Sequence, residues 1–309
     1  MPIIIVNQSR YIRHWVDTLK AKRPDLDVRV YPDAGAPEEI EFALAWNHPL
    51  GAFQEFPNLK CIASTGAGVD HILRDPDLPA QVQITRIVDE NLTHDMATFV
   101  TALVLNHVRD LDGYKEAQRE RTWAQKRYLR TQDLGIGVMG LGVLGSYTAL
   151  QLRKLGFRVQ GWAKSPKVLE DIGTYAGPEE LDAFLASSRI LVCLLPLTPE
   201  TANILNKETF QKLPKDAFII NVARGEHLVE QDLIEMLDDG HLSGASLDVF
   251  REEPLPENHP FWSHPRINVT PHIASVTNPE SAVEQILENY DRLQKKEPLL
   301  NVVSRTKGY

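Results

Sequence analysis

The chain is poor in the features that define several protein classes. It has two cysteines in 309 residues, Cys61 and Cys193, each inside an apolar strand-like run. That number and placement exclude a disulfide scaffold and fit two buried thiols in a reducing compartment. No apolar run approaches the length needed to span a bilayer. Ile3–Val6 is too short for a signal-peptide core and is followed at once by Asn7-Gln8-Ser9-Arg10, so a cytoplasmic protein is expected. Basic residues are not in excess: 33 Lys and Arg stand against 42 Asp and Glu, for a net charge of −9. This balance argues against a nucleic-acid partner. The one locally basic stretch, Arg119 to Arg130, reads as a solvated loop or an oligomer contact. The 10 histidines form no close group with Cys, Asp or Glu at metal-ligand spacing, so no metal site is expected. Low-complexity segments and internal repeats are also absent. What remains is an ordinary globular composition, 43% hydrophobic and 24% charged, in a chain long enough for about two domains.

Short strands and helices alternate along it. Strands are predicted at Ile3–Val6, Val28–Tyr31, Leu44–Trp46, Lys60–Ala63 and Ile84–Ile87, with a helix near Tyr11–Lys20. A long helix is predicted from about Asn91 to Arg119, with Thr93 as N-cap and Met96, Val100, Leu103, Val104, His107, Val108 and Leu111 on one face. A regular series of strands follows, at Ile136–Met139, Arg158–Trp162, Ile190–Leu194, Ala217–Val222, Ser243–Val249 and Ile267–Thr270. Helices lie between them, and Glu280 to Lys296 is a last helix. The expected fold is α/β, with two doubly wound parallel-sheet domains. A Rossmann dinucleotide-binding domain spans 99–275. A discontinuous substrate domain is made of 1–98 and 276–309.

The run Gly140-Leu141-Gly142-Val143-Leu144-Gly145 follows the strand Ile136–Met139 and opens a helix through Leu155. Strand, glycine turn and helix start make a pyrophosphate site. Gly140 permits the turn, Gly142 lets the phosphates approach, and Gly145 lets helix and strand pack closely. The helix N-terminus presents N–H groups to the anion. An NAD site places an acid at the end of the second strand to accept from the ribose 2′-OH. This chain has Ala163 there, then Lys164, Ser165, Pro166 and Lys167. An ordinary solvated loop would also carry such lysines. The missing acid decides for NADP(H) over NAD(H).

Three further stretches place reactive groups just past strand ends, where open α/β sheets bind ligands. They are Asn221-Val222-Ala223-Arg224-Gly225, Leu247-Asp248-Val249-Phe250-Arg251-Glu252-Glu253-Pro254 and Thr270-Pro271-His272-Ile273-Ala274. Reduction of a 2-oxo acid needs a cation for the carboxylate, an acid for the carbonyl oxygen and a group that keeps that acid protonated. Arginine grips carboxylates with two parallel hydrogen bonds, and an imidazole beside a carboxylate is favoured as the proton-donating cation. Alone, each residue would be a surface arginine, a solvated glutamate or a turn-capping histidine. Together, beside a dinucleotide turn, they read as a catalytic set.

These stretches, with Ser64-Thr65-Gly66-Ala67-Gly68-Val69-Asp70 and Leu195-Pro196-Leu197-Thr198-Pro199-Glu200-Thr201, resemble the D-isomer-specific 2-hydroxyacid dehydrogenase family over nearly the whole chain. A flavodoxin-like substrate domain is part of that resemblance. Val222–His227, Glu253–Pro256, Trp262–Arg266 and the ending Lys307-Gly308-Tyr309 resemble one reductase subgroup within it. The resemblance implies roles. Arg224 would bind the substrate carboxylate, and His272 would be the acid–base group. Glu253, the acid before Pro254, would be its partner, in preference to Glu252. Backbone N–H groups of Ala67, Gly68 and Val69 would hold the substrate, with Trp46 nearby. Val143 and Leu144 would meet the pyrophosphate, and Asp248 the carboxamide. Leu195, Pro196, Thr201, Val222 and Ala223 would complete the cofactor site, to which Arg224 and His272 would also contribute. It also implies a homodimer, with Gly113 to Arg130 as an arm, and domain closure about crossings near 95–100 and 275–280. The activity implied is NADPH-dependent reduction of small 2-oxo acids such as glyoxylate and hydroxypyruvate. A bulkier 2-oxo acid such as phenylpyruvate, or a non-catalytic dinucleotide-sensing role, are the alternatives; the intact Arg224, Glu253 and His272 set argues against the last.

Overall fold

A computed structural model describes residues 1–7 and 12–308. The chain divides into two compact units, Met1–Leu92 with Val276–Tyr309, and Thr93–Ser275. Tyr11 of the expected first helix, Gln8-Ser9-Arg10 and the terminal Tyr309 lie outside the described residues.

The first unit is built on five parallel strands: β1 (Ile3–Asn7), β2 (Val28–Val30), β3 (Phe42–Trp46), β4 (Cys61–Ser64) and β5 (Gln83–Thr85). Their order is β2-β1-β3-β4-β5, the flavodoxin-like doubly wound arrangement. Side chains alternate between two cores, as a strand's period of two requires. Ile3, Ile5, Phe42, Leu44 and Cys61 face one cluster, and Ile4, Val6, Ala43, Ala45 and Ile62 the other. A fully buried side chain of this size stabilises the fold by about 1.5–3 kcal/mol. Between the strands lie α1 (Ile12–Lys22) and the single turn α2 (Asp70–Leu73).

The second unit opens with α3 (Glu90–Val108), whose first turn belongs to the first unit, and α4 (Leu111–Arg119). The sequence predicts one helix here, but the chain breaks at Asp110, whose φ of 49° is left-handed. Beyond the break Leu111 leaves the apolar face and is exposed, whereas Met96, Val100, Val104 and Val108 stay buried. Thr93 is not the N-cap. The helix starts three residues earlier, and the Asp89 carboxylate accepts from Leu92 N–H at 2.8 Å. His107 on α3 stacks on Phe218, ring centroids 3.9 Å apart, and burial, aided by the charge of Arg189, pushes its pKa down to about 4. An unfolded histidine titrates near about 6.5. The unfolded chain therefore takes up this proton first, so stability is intact above about pH 6.5 and falls as pH drops toward 4. Denaturant titrations at pH 7 and pH 5 should show a His107→Gln variant losing about 2 kcal/mol less than the parent across that interval. Equal losses would remove His107 from the acid response.

The sheet of this unit contains β6 (Gly135–Met139), β7 (Arg158–Ala163), β8 (Gly173–Ala176), β9 (Ile190–Cys193), β10 (Ala217–Asn221), β11 (Leu242–Leu247) and β12 (Ile267–Val269). They run in the order β12-β11-β10-β9-β6-β7-β8, all parallel. The sequence pattern does not show β8, a half-exposed edge strand. Helices α5 (Val143–Lys154), α6 (Leu181–Ala186), α7 (Lys207–Lys212) and α8 (Glu230–Asp238) connect the strands. The direction of winding reverses between β6 and β9, and open sheets bind ligands at the carboxyl ends of the strands beside such a point. Finally, α9 (Pro279–Lys295) belongs to the first unit and packs beside α1. It is capped by Asn278, whose side chain accepts from Glu280 N–H. Its stripe Ala282, Val283, Ile286, Leu287 and Tyr290 completes the Ile3 core, and Arg23 clamps Asp291 with two hydrogen bonds of 2.6 and 2.8 Å.

Candidate active site

The glycine turn sits at the switch point, after β6. Its three glycines have three different causes. Gly140 has φ +104°, and a Cβ there would lie 2.5 Å from the Leu194 carbonyl oxygen. A Cβ on Gly145 would lie 1.8 Å from the carbonyl oxygen of Gly140. Gly142 has an ordinary φ of −77°, and a Cβ there would meet nothing within 4 Å. Among the described residues nothing requires that glycine, so the open space in front of it fits the backbone approach of a dinucleotide pyrophosphate. Val143 and Leu144 begin α5, where N–H groups have no acceptor within the helix.

The neighbouring loop carries the second cofactor feature. Gly140 N–H donates to Trp162 O at 2.8 Å, tying the end of β7 to the turn. Ala163 closes the strand and is buried. Lys164, Ser165 and Lys167 follow on an exposed loop. Lys164 lies 3.6 Å from Glu200, an exposed pair. On the other side of the switch point Leu195 is buried, and the Thr201 hydroxyl donates to Pro196 O at 2.7 Å and accepts from Thr198 N–H.

Arg224 follows β10, just past buried Val222 and Ala223. Its main chain is fixed by Asn221, whose amide donates to Arg224 O and whose Oδ1 accepts from Ala223 N–H. Arg224 Nη1 donates to Ala223 O at 2.7 Å, which orients the guanidinium. Gly225 is pressed on the next loop: a Cβ there would lie 1.9 Å from the Phe250 carbonyl carbon. The buried His227 ring lies between the carbonyl oxygens of Arg224 and Pro196, 3.2 and 3.3 Å away. The sequence showed His227 only as one member of a family-like stretch.

Glu253 and His272 form a close pair. His272 Nδ1 lies 2.7 Å from Glu253 Oε2, each side chain 36% exposed. The other carboxylate oxygen accepts from Phe250 N–H at 2.9 Å. Burial alone would raise the Glu253 carboxyl. The hydrogen bond and charge of His272, the Phe250 N–H and the charge of Arg224 outweigh it and hold Glu253 below its ordinary value. Glu252 stays exposed. His272 has a left-handed backbone, φ 54°. Asp248 shapes that turn. It is fully buried, and its carboxylate accepts from the Thr270 hydroxyl and from the N–H groups of Ile273 and Ala274.

The first unit brings together the remaining candidates at the carboxyl ends of β3 and β4. The Trp46 ring lies 4.4 Å from that of His71, and a Cβ on Gly66 would lie 2.5 Å from the indole. Asn47 N–H lies 3.4 Å from His71 Nδ1, His71 Nε2 lies 3.1 Å from the Ser64 hydroxyl, and that hydroxyl donates to Gly68 O. This chain fixes the loop that presents half-exposed Ala67 and Gly68, with Val69 buried beside them. Next to it the buried His48 Nε2 and Asp75 Oδ2 form a hydrogen bond of 2.9 Å. His71, Ser64 and Asp75 carry no sequence signal of this role, because each depends on a residue distant in the chain.

A Rossmann-type sheet with a glycine turn at its switch point, and an arginine and a histidine–carboxylate pair on the strand ends, defines a dinucleotide-dependent oxidoreductase. Comparison with known proteins makes this specific. Residues 101–274 match the family model described as the D-isomer specific 2-hydroxyacid dehydrogenase, NAD binding domain. The chain belongs to the D-isomer specific 2-hydroxyacid dehydrogenase family. A protein of Yersinia enterocolitica named glyoxylate/hydroxypyruvate reductase A is 38% identical, and one of Photorhabdus laumondii with the same name is 39% identical, each over the full length of both chains. Among solved structures, a D-isomer specific 2-hydroxyacid dehydrogenase from Xanthobacter autotrophicus in complex with NADPH and MES is 42% identical with a TM-score of 0.95, covering 100% of this chain and 99% of that one. The NADPH-dependent glyoxylate/hydroxypyruvate reductase of Sinorhizobium meliloti, in complex with NADP and sulfate, is 36% identical with a TM-score of 0.92 at the same coverage. No helix among the described residues is long and apolar enough to cross a membrane.

Proposed function

We propose that this chain reduces small 2-oxo acids, glyoxylate and hydroxypyruvate first, to 2-hydroxy acids, with NADP(H) preferred over NAD(H). The observation that carries the reading is the 2.7 Å His272–Glu253 pair, whose carboxylate also feels the charge of Arg224, in the unit that holds the glycine turn. The bound dinucleotide supplies a hydride. The protein supplies the rest. Arg224 offers its guanidinium fork to the substrate carboxylate and polarises the carbonyl. With Nδ1 engaged by Glu253, His272 Nε2 delivers the proton to the carbonyl oxygen in reduction and accepts it in oxidation. Ala67, Gly68 and Val69 contribute backbone N–H groups to the carboxylate, and the Trp46 indole over Gly66 favours a small substrate. Val143 and Leu144 meet the pyrophosphate. Lys164, Ser165 and Lys167, with Ala163 in place of an acid, suit a 2′-phosphate. The relatives solved with NADPH or NADP support the same choice.

Steady-state rates with glyoxylate, hydroxypyruvate, pyruvate and phenylpyruvate, each with NADPH and NADH, test the reading. The highest kcat/KM is expected for a small oxo acid with NADPH. A clear preference for NADH or for phenylpyruvate would replace it.

The active form is proposed to be a homodimer. Residues 120–130 run without helix or strand, with Trp123 95% and Tyr128 65% exposed. Apolar side chains this open suit an arm laid on a second copy. Light scattering should give about twice the 34.8 kDa chain mass, and a Trp123→Asp, Tyr128→Asp variant should shift toward monomer. A monomeric parent protein would exclude the arm role.

A further inference from the structure

Arg86, the first residue beyond β5, is held firmly by its main chain. Its N–H donates to Asn301 O at 3.2 Å, its carbonyl accepts from Gln285 Nε2 at 2.8 Å, and the next residue's N–H donates to Gly66 O at 3.0 Å. The alternation of β5 continues through it. Ile84 lies in the cluster that holds Val69 and Ile72, and Ile87 lies in the opposite cluster with Ile5 and Ala63. A period of two therefore sets Arg86 on the Val69 face, at the carboxyl edge of the sheet and beside the Gly66–Val69 loop.

The side chain is half-buried. Among the described residues its guanidinium has no ion-pair or hydrogen-bond partner, and burial draws its pKa down with no carboxylate opposing. Three other arginines of this unit are satisfied: Arg23 by Asp291, Arg29 by Asp27 and Glu39, Arg305 by two carbonyl oxygens. A guanidinium drawn out of water without a counter-charge is costly, and an anion that pairs with it removes the cost.

We propose that Arg86 is an anion-binding residue that grips the carboxylate of the 2-oxo acid together with the backbone N–H groups of Ala67 and Gly68. The proposal rests on the functional reading above and adds a specificity determinant to it. The fork of an arginine matches a carboxylate, and a lysine does so poorly. The contact is to the unreacting end of the substrate. It is equally strong in ground and transition states, and so lowers KM without raising kcat.

Kinetics of the parent, Arg86→Gln and Arg86→Lys with NADPH, together with thermal shifts by oxalate, a carboxylate anion that is not reduced, test it. In Arg86→Gln, KM for glyoxylate and hydroxypyruvate should rise roughly 10- to 100-fold, the range of a charge-assisted hydrogen bond. Its kcat should stay within about threefold and its NADPH affinity should be unchanged. The oxalate shift should vanish, and Arg86→Lys should fall in between. An unchanged KM with the oxalate shift retained overturns the proposal, as does a fall in kcat with substrate and oxalate affinity intact. If Arg86→Gln does not fold, the lysine variant decides: weakened oxalate binding supports the assignment and parent-like binding overturns it. A parent protein that oxidises NADPH with no 2-oxo acid would sink the functional reading instead, and oxalate binding would still report on Arg86.

Discussion

Replacing His272 with alanine is expected to lower kcat by about 10²–10⁴, the loss typical of a general acid. NADPH affinity should change little, because the role proposed for the imidazole concerns the proton and not the phosphates. The backbone complicates the choice of variant. At φ 54° an alanine is strained, whereas asparagine tolerates the left-handed region well. His272→Asn therefore serves as the second variant: it keeps the turn and removes the acid. If both variants lose activity with intact thermal stability, the loss is chemical. Glu253→Gln should fall between them and the parent, since it leaves the donor but removes its charge partner. Near-normal turnover in His272→Asn would remove His272 from the mechanism.

The second large effect separates two glycines in one turn. Gly142→Ala adds a methyl group that meets no atom of the described residues within 4 Å, while Gly145→Ala drives one to 1.8 Å from the Gly140 carbonyl oxygen. The first variant should fold with an unchanged Tm and bind NADPH at least tenfold more weakly, about 1.4 kcal/mol. The second should lose stability first, by about 1–3 kcal/mol or more, as overpacked sites do, and cofactor binding with it. Calorimetry of the free proteins followed by NADPH titration distinguishes them. A Gly142→Ala protein that binds NADPH like the parent would show that the pyrophosphate does not approach there.

The fold and the candidate site are largely legible in the sequence. The glycine turn, Arg224, Glu253 and His272 announce themselves because each lies in a short stretch whose residue types serve one purpose at the end of an apolar strand. The parallel order of strands followed from alternation with helices. Other features depend on information that a local pattern does not hold. The edge strand Gly173–Ala176 has one half-exposed side and no apolar alternation to mark it. The break before α4 is a single left-handed aspartate within an otherwise helical pattern. The Asn47–His71–Ser64 chain and the His48–Asp75 pair join residues from separate loops. The family resemblance marks Asp248 for a cofactor contact but not for its three bonds to the Thr270–Ala274 turn, which come from folding.

That turn has a consequence for the energetics of turnover. His272 N–H is shared between Asp248 O at 2.8 Å and Thr270 O at 3.1 Å, and its left-handed backbone costs roughly 1–2 kcal/mol for a residue with a Cβ. The cost is incurred once, when the chain folds. The imidazole is then aimed by the main chain and by Glu253 instead of by a search through rotamers. In the role proposed for His272, a proton donor fixed in this way would add little reorganisation to each catalytic cycle. The strain at one peptide is thus a standing investment of folding free energy in the alignment of a single nitrogen.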